Sequence, residues 1–351
     1  MLLHGIFVLV TTPFYPDGSL YWRKLEHNVA RYSRSPLAGI VVLESSGETA
    51  LLSDQERRDV LKCARAVTTP EKVLLAGTGR ESALETLRLT EYAAELGYDA
   101  ALVISPGLYR SQMKLPGNLL AFYRFVADRS PVPIVMQNAP SFAGYDLAPQ
   151  VVLELAAHPN IIGILEPGEA NEEVPFLLEH TRGIKRTIPV TQDFQALTPR
   201  MLEAAAAQAA TGAVVPTEVL MPSSSAVVVT TGLKTREKEV GFQILAGAAR
   251  NLYAALRSGA VGGMAAFASA APTAVYEVYA AWKDGDHKLA QEKQERITVA
   301  AARIAGELGV PGIKYACDLN GYYGGPVRLP LLPLTAEVKR EVELLMKDIR
   351  N

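Results

Sequence analysis

Eight short apolar runs rich in β-branched residues recur along this 351-residue chain. No other feature narrows its possible folds as much. The runs occupy 6–12 (IFVLVTT), 39–44 (GIVVLE), 73–78 (VLLAGT), 100–105 (AALVIS), 133–138 (PIVMQN), 161–166 (IIGILE), 242–247 (FQILAG) and 262–267 (GGMAAF). They are nearly all apolar rather than alternating, the pattern of parallel strands covered on both faces. Their starts lie 33, 34, 27, 33, 28, 81 and 20 residues apart. A barrel of about 250 residues needs roughly 31 per βα unit, so only the last two spacings depart. Helix start signals fall between the runs. Ser53 with Glu56 and Ser82 with Glu85 read as capping boxes, and Asp146 is placed to cap a helix carrying Val151, Val152 and Leu155. Eight strands alternating with helices predict an α/β fold, a (β/α)8 barrel. A doubly wound open sheet is the alternative, but no Gly-x-Gly-x-x-Gly turn follows the first strand.

The spacing of 81 marks a long insertion after the sixth strand. It falls within 167–241 and holds helix candidates at 171–182 and 199–211 and a strand-like run Val227–Val229. If 171–182 is the regular sixth helix, the insertion lies on the barrel's far face. If 199–211 fills that role, it overhangs the mouth. Beyond the eighth strand, 271–283 reads as the closing helix, and 286–308 and 335–349 as two more, joined by the Gly- and Pro-rich stretch Gly321 to Pro333. The expected division is a barrel over 1–284 and a C-terminal helical extension over 285–351.

Composition removes several function classes. With 35 basic and 37 acidic side chains the net charge is −2, which exerts no long-range pull on nucleic acid or anionic membrane. Two cysteines, Cys63 and Cys317, make neither a disulfide framework nor a zinc site. The N-terminus lacks a basic segment, Pro13 interrupts its apolar run, and no later stretch is long enough for a membrane helix. A cytoplasmic globular protein is expected. The five histidines (His4, His27, His158, His180, His287) have no metal-ligand spacing, so neither metal nor cofactor is expected.

Several phrases, in order and spacing, resemble the dihydrodipicolinate synthase and N-acetylneuraminate lyase family. They are GIFVLVTTPFYPDGSL, GIVVLESSGETALLSDQER, AGTGRESALETLRLTEYAAELGYDAALVISP, PVPIVMQNAP, HPNIIGILEP, the glycine-rich start of the eighth strand at 259–263, and GGPVRLPLLPLT at 324–335. The likeness covers nearly the whole chain except most of 167–241. It implies a TIM barrel with C-terminal helices, assembled as a homo-oligomer (dimer or tetramer). It also implies class I aldol chemistry on pyruvate. In that chemistry a lysine ending the sixth strand forms a Schiff base, a tyrosine ending the fifth relays protons, and paired hydroxyls after the second hold a carboxylate. A lysine in a dry barrel interior is nucleophilic because burial depresses its pKa.

This chain departs from that pattern. The family's Gly-Ile-Lys falls on Gly163, Ile164 and Leu165, and its Tyr-Asn pair on Gln137 and Asn138. Leucine has no nucleophile, and an amide does not shuttle protons near neutral pH. Phe142 stands where the synthase branch carries an arginine, which argues against aspartate semialdehyde as second substrate. Lys185 repeats the Gly-Ile-Lys pattern, but no apolar strand precedes it, so it reads as a surface lysine.

Ser45 and Ser46 match the family's paired hydroxyls and either grip a carboxylate or only shape their turn. Glu48 reads as an anchor for that turn. Glu44 and Glu166 sit at strand ends where barrel enzymes place catalytic groups. They could act as acid and base, ligate a cation, or make ordinary salt bridges. Tyr109 follows the fourth strand and reaches the pocket or a neighbouring subunit. Gln192 and Asp193 matter only if the insertion covers the mouth. Arg328 reads as fixing the C-terminal segment. Together these readings predict a lyase-like protein that binds a small 2-oxo or hydroxy acid at the C-terminal barrel face without a lysine imine. It would polarise the carbonyl with Gln137, Asn138 and the serine turn, or with a metal that the residue spacing does not reveal. The alternative is a catalytically inactive family member acting as a carboxylate-binding or regulatory protein.

Overall fold

The structure, a computed structural model, describes residues 1–167, 173–210 and 233–349. Six parallel strands come first: β1 (Gly5–Leu9), β2 (Gly39–Val42), β3 (Val73–Gly77), β4 (Ala100–Ile104), β5 (Ile134–Gln137) and β6 (Ile161–Glu166). An antiparallel pair follows, β7 (Arg186–Thr191) and β8 (Thr235–Val240), and then β9 (Gln243–Ala246) and β10 (Gly262–Ala265). The closed barrel runs β1-β2-β3-β4-β5-β6-β9-β10. Each of the eight expected runs holds one barrel strand, and closure rules out the open sheet.

The apolar runs are explained by two cores. Phe7, Leu9, Val41, Leu75, Leu102, Val135, Leu165, Leu245 and Met264 fill the barrel interior. Their neighbours Ile6, Val8, Ile40, Val42, Leu74, Val103, Met136, Ile164 and Ile244 pack outward on the helices. Side chains alternate between these layers, so polar residues have no place on either face. Ser53 and Glu56 form a complete capping box, whereas Ser82 only accepts from the Glu85 amide. Asp146 does not cap its helix. That helix begins at Pro149 behind Ala148, where proline's fixed φ and missing N–H suit the first turn.

The helix Glu173–Thr181 packs on Pro149–Ala156 as the regular sixth helix. The described part of the insertion therefore lies on the far face, at the N-terminal ends of the strands. Ile188, Val190 and Val240 cover Leu2 there. Arg186 donates to the carbonyls of Ala156, His158 and Ile161 at 2.8, 3.0 and 3.1 Å. Thr198 Oγ1 donates to the Pro70 carbonyl at 2.7 Å. Lys185 pairs with Glu239 at 3.0 Å with its side chain 64% exposed, away from the mouth. Gln192 and Asp193 follow β7 on the same side. The run Val227–Val229 lies outside the described residues.

The C-terminal extension contains a helix that was not expected, Gly309–Leu319. Gly309 and Pro311 suggest a break, but Gly309 takes a positive φ of 62° and Pro311 sits in the first turn, where no N–H is needed. The helix before it, His287–Ala301, continues through a π-helical segment, Ala302–Glu307. The last helix, Ala336–Met346, is shorter than the run 335–349. None of the described helices is long and apolar enough to cross a membrane.

One buried ion pair ties the insertion to the barrel. Arg200 Nη2 lies 2.7 Å from Asp99 Oδ2, with side chains 3% and 1% exposed. Removing one partner strands a buried charge. Arg200→Leu is expected to lose about 3–5 kcal/mol in urea unfolding, and the double variant Arg200→Leu/Asp99→Leu to recover most of that loss.

Candidate functional site at the barrel mouth

A pocket of about 330 Å³ opens at the C-terminal ends of the strands. Its floor and walls bring together Glu44, Ser45 and Ser46 after β2, Gln137 and Asn138 at the end of β5, and Leu165 of β6. Arg250 after β9 and Met264 of β10 complete the barrel side. Ala301, Ala305, Gly306, Val310 and Ile313 cover it from the C-terminal helices. The π-helical segment supplies Ala305 and Gly306; such segments frequently occur at functional sites. A Cβ on Gly306 would stand 3.0 Å from Arg250 Nη1, so glycine makes room for the guanidinium.

Glu44 enters the mouth through a backbone kink. Leu43 holds φ at 65°, a region costly for a branched side chain. Gly77 lacks a side chain where a Cβ would come within 2.3 Å of the Leu43 carbonyl oxygen. The kink interrupts the strand's alternation and aims Glu44 across the mouth. Glu44 then caps a tight turn, Ser45–Gly47. Its Oε1 accepts from Ser45 Oγ and, at 2.9 Å, from Gln137 Nε2. Its Oε2 accepts from the Ser46 amide at 2.9 Å and from Ser46 Oγ at 2.7 Å. Four donors thus converge on one carboxyl group only 5% exposed. Both serine hydroxyls, expected to meet a ligand carboxylate, are turned to Glu44.

Glu166 goes elsewhere. Gln137 and Leu165 are register partners and both face the mouth. One step on, Asn138 and Glu166 meet each other, with Asn138 Nδ2 donating to Glu166 Oε2 at 3.0 Å. Asn138 Oδ1 accepts from the Leu147 amide at 3.2 Å. Glu166 is 3% exposed and does not line the pocket. The expected pairing of Glu44 with Glu166 over one ligand is corrected: strand alternation separates them. Burial pushes the Glu166 carboxyl up to about 8, and the nearby carboxyls of Glu173 and Asp146 add to that shift.

For Tyr109 the pocket alternative is corrected. It is 67% exposed and stands outside the pocket. Glu48 and Arg328 act as anchors: the Arg328 amide donates to Glu48 Oε2 at 2.8 Å, and its guanidinium reaches Glu56 and the carbonyls of Gly18 and Leu51. Lys314 is a buried amine on the unexpected helix. Its Nζ lies 2.5 Å from Glu48 Oε1 and donates to the Pro326 carbonyl at 2.7 Å. It does not line the pocket. Among the described lining residues the charged ones are Glu44 and Arg250, and none is a lysine. Arg250 went unnoticed in the sequence, although a basic residue four positions beyond the end of β9 was a usable signal. Among the described residues no three His, Cys, Asp or Glu side chains are arranged to hold a metal ion.

Glu166 carries a pH signature. Its carboxyl titrates near 4.5 when unfolded and near 8 in the fold, so between those values the folded state holds the extra proton. Stability from this group is full below about pH 4.5 and is lost as pH rises through about 8. Glu166→Gln is expected to flatten the fall of Tm across that window, measured by thermal unfolding at stepped pH.

Comparison with known proteins agrees with this architecture. The model of the dihydrodipicolinate synthetase family matches residues 2–218 and 219–349. A 4-hydroxy-tetrahydrodipicolinate synthase from Methanothrix thermoacetophila is 28% identical over 351 residues, covering 99% of this chain and 98% of that protein. The Xanthomonas campestris enzyme of the same name is 39% identical over 181 residues, 51% of this chain and 58% of its own length. Among solved structures, a dihydrodipicolinate synthase from Bacillus anthracis superposes with a TM-score of 0.78 at 20% identity, over the full length of both chains. A prophage protein from E. coli K12, solved with pyruvate, gives 0.77 at 23%, covering 99% of each. At such identities these two likenesses speak for the fold alone. The family match, spanning nearly every residue, places this chain in the dihydrodipicolinate synthetase family.

Proposed function

We propose that this chain binds a small polar ligand non-covalently at the barrel mouth, as a family member that no longer captures a ketone as an imine. The floor of the pocket carries this reading. Leu165 and Gln137 stand side by side there, with Glu44 bonded to Gln137, and no lysine is among the described lining residues. Covalent capture needs an amine nucleophile, and a hydrocarbon side chain offers none. The amide of Gln137 holds a hydrogen bond but does not exchange a proton near neutral pH.

Binding is favoured over turnover by the separation of the two carboxyl groups. Acid–base catalysis needs both to reach one ligand. Glu166 faces the helices, and Glu44 is held by four donors. Of the two expected functions, the inactive binding member therefore fits the geometry better than a lyase working without an imine.

The test is reduction with borohydride in the presence of pyruvate, read by intact mass and peptide mapping. The expected result is no adduct. A stable mass gain on any lysine, Lys185 and Lys314 included, would overturn the proposal.

Self-association belongs to the same proposal. Leu108, Tyr109, Leu115 and Phe142 are 75%, 67%, 59% and 57% exposed. A Cβ on Gly107 would lie 3.4 Å from the Phe142 carbonyl oxygen, so the two loops adjoin. An exposed apolar patch of this kind marks a contact surface. Sedimentation is expected to show a dimer or tetramer, with Tyr109→Asp shifting it toward the monomer. Identical masses for the two proteins would remove Tyr109 from the interface.

A further inference from the structure

Resting on the non-covalent reading above, we infer that the pocket floor receives a hydrogen-bond-donating head group, a hydroxyl or an ammonium, and rejects a carboxylate. The inference follows from donor and acceptor accounting. Ser45 Oγ, Ser46 Oγ, the Ser46 amide and Gln137 Nε2 all donate to Glu44. Once their hydrogens are committed, the two hydroxyls present lone pairs to the pocket, and Gln137, with one of its two amide hydrogens given to Glu44, adds the lone pairs of Oε1. Gln137 Oε1 accepts no hydrogen bond from any described residue, although Gln137 is only 7% exposed. That oxygen is therefore an acceptor open to a donor that enters the pocket.

Charge points the same way. Glu44 sits directly behind these lone pairs and fixes a negative potential on the floor. A carboxylate set on the floor would meet hydroxyl hydrogens already given to Glu44 and a like charge behind them, between apolar walls that include Leu9, Leu165 and Met264; the pocket's cation, Arg250, lies beside Gly306 of the helical cover and not on this floor. An ammonium gains from the same field, and a hydroxyl is indifferent to it but can donate to Gln137 Oε1. The protein's own carboxylate thus fills the place that the serine turn would otherwise offer to an acid. The class of ligand follows from Glu44, and the residues around it position that group.

Three-carbon probes separate the possibilities: pyruvate, which has no hydrogen-bond donor at neutral pH, propane-1,2-diol, and 1-amino-2-propanol. Ligand-observed NMR titration of the wild-type protein is expected to give tighter binding for the two donors than for pyruvate. Glu44→Ala frees four donors and removes the charge, so pyruvate should bind it about tenfold more tightly than it binds the wild type. Glu44→Gln keeps the shape, removes the charge and replaces one of the two accepting oxygens by a donor. It should weaken the amine more than the diol, which keeps the inference testable if the alanine variant fails to fold. Pyruvate binding the wild type as tightly as the donors would overturn the inference. So would an unchanged preference in Glu44→Ala, or no donor binding at all. A clean borohydride result beside any of these failures would leave the imine-free reading standing and remove only the ligand class.

Discussion

Side chains on a parallel barrel strand face either the interior or the helices, and a single step along the chain exchanges the two. Most of what distinguishes this protein follows from that rule and one breach of it. Gln137 and Leu165 share a register position and face the mouth. Asn138 and Glu166, one residue further, share the next position and meet on the outer side. The breach is Leu43, whose positive φ turns Glu44 inward where regular alternation would not place it. The mouth therefore holds one of two candidate carboxyls, and its character is set by that one.

Around Glu44 the chain has built a closed set of hydrogen bonds. Two hydroxyls, one backbone amide and one side-chain amide come from two strands far apart in sequence and end on the same group. Such a network is rigid because each member limits the rotamer of the next. It also reverses the polarity that a pair of strand-end hydroxyls usually has toward a ligand. Leu165 completes the floor with an apolar surface beside Gln137.

The two ends of the barrel are stabilised in different ways. At the mouth, the C-terminal helices are pinned by Lys314 and Arg328, which converge on Glu48 and on the ring of Phe14 at 4.4 Å each. This pins the serine turn against the helix that supplies Val310 and Ile313 to the pocket. At the far end, the described part of the insertion covers the base of the barrel with Ile188, Val190 and Val240 against Leu2 and with the Asp99–Arg200 pair. The described residues of this segment thus close the end opposite the site.

Much of this was readable in the residue order. Eight apolar runs at near-constant spacing are enough for eight parallel strands, because strands buried on both faces have nowhere to put polar residues. Leu165, Gln137, Ser45 and Ser46 were locatable at the mouth through the family resemblance, whose motifs fall on those strand ends. The alternation that carries Glu166 away from Leu165 was also present in the sequence, and adjacency alone concealed it. The kink at Leu43 and the helix through Pro311 depend on neighbours, Gly77 in the first case and the packed first turn in the second. Arg250, Lys314 and the face taken by the insertion were decided only in three dimensions. Local sequence specifies period and propensity, whereas hydrogen-bond partners and burial are set by groups that approach from distant parts of the chain. Composition and periodicity determined that this protein is a barrel. Only the tertiary structure decided that the floor's donors belong to Glu44, because that depended on where one side chain found its partners.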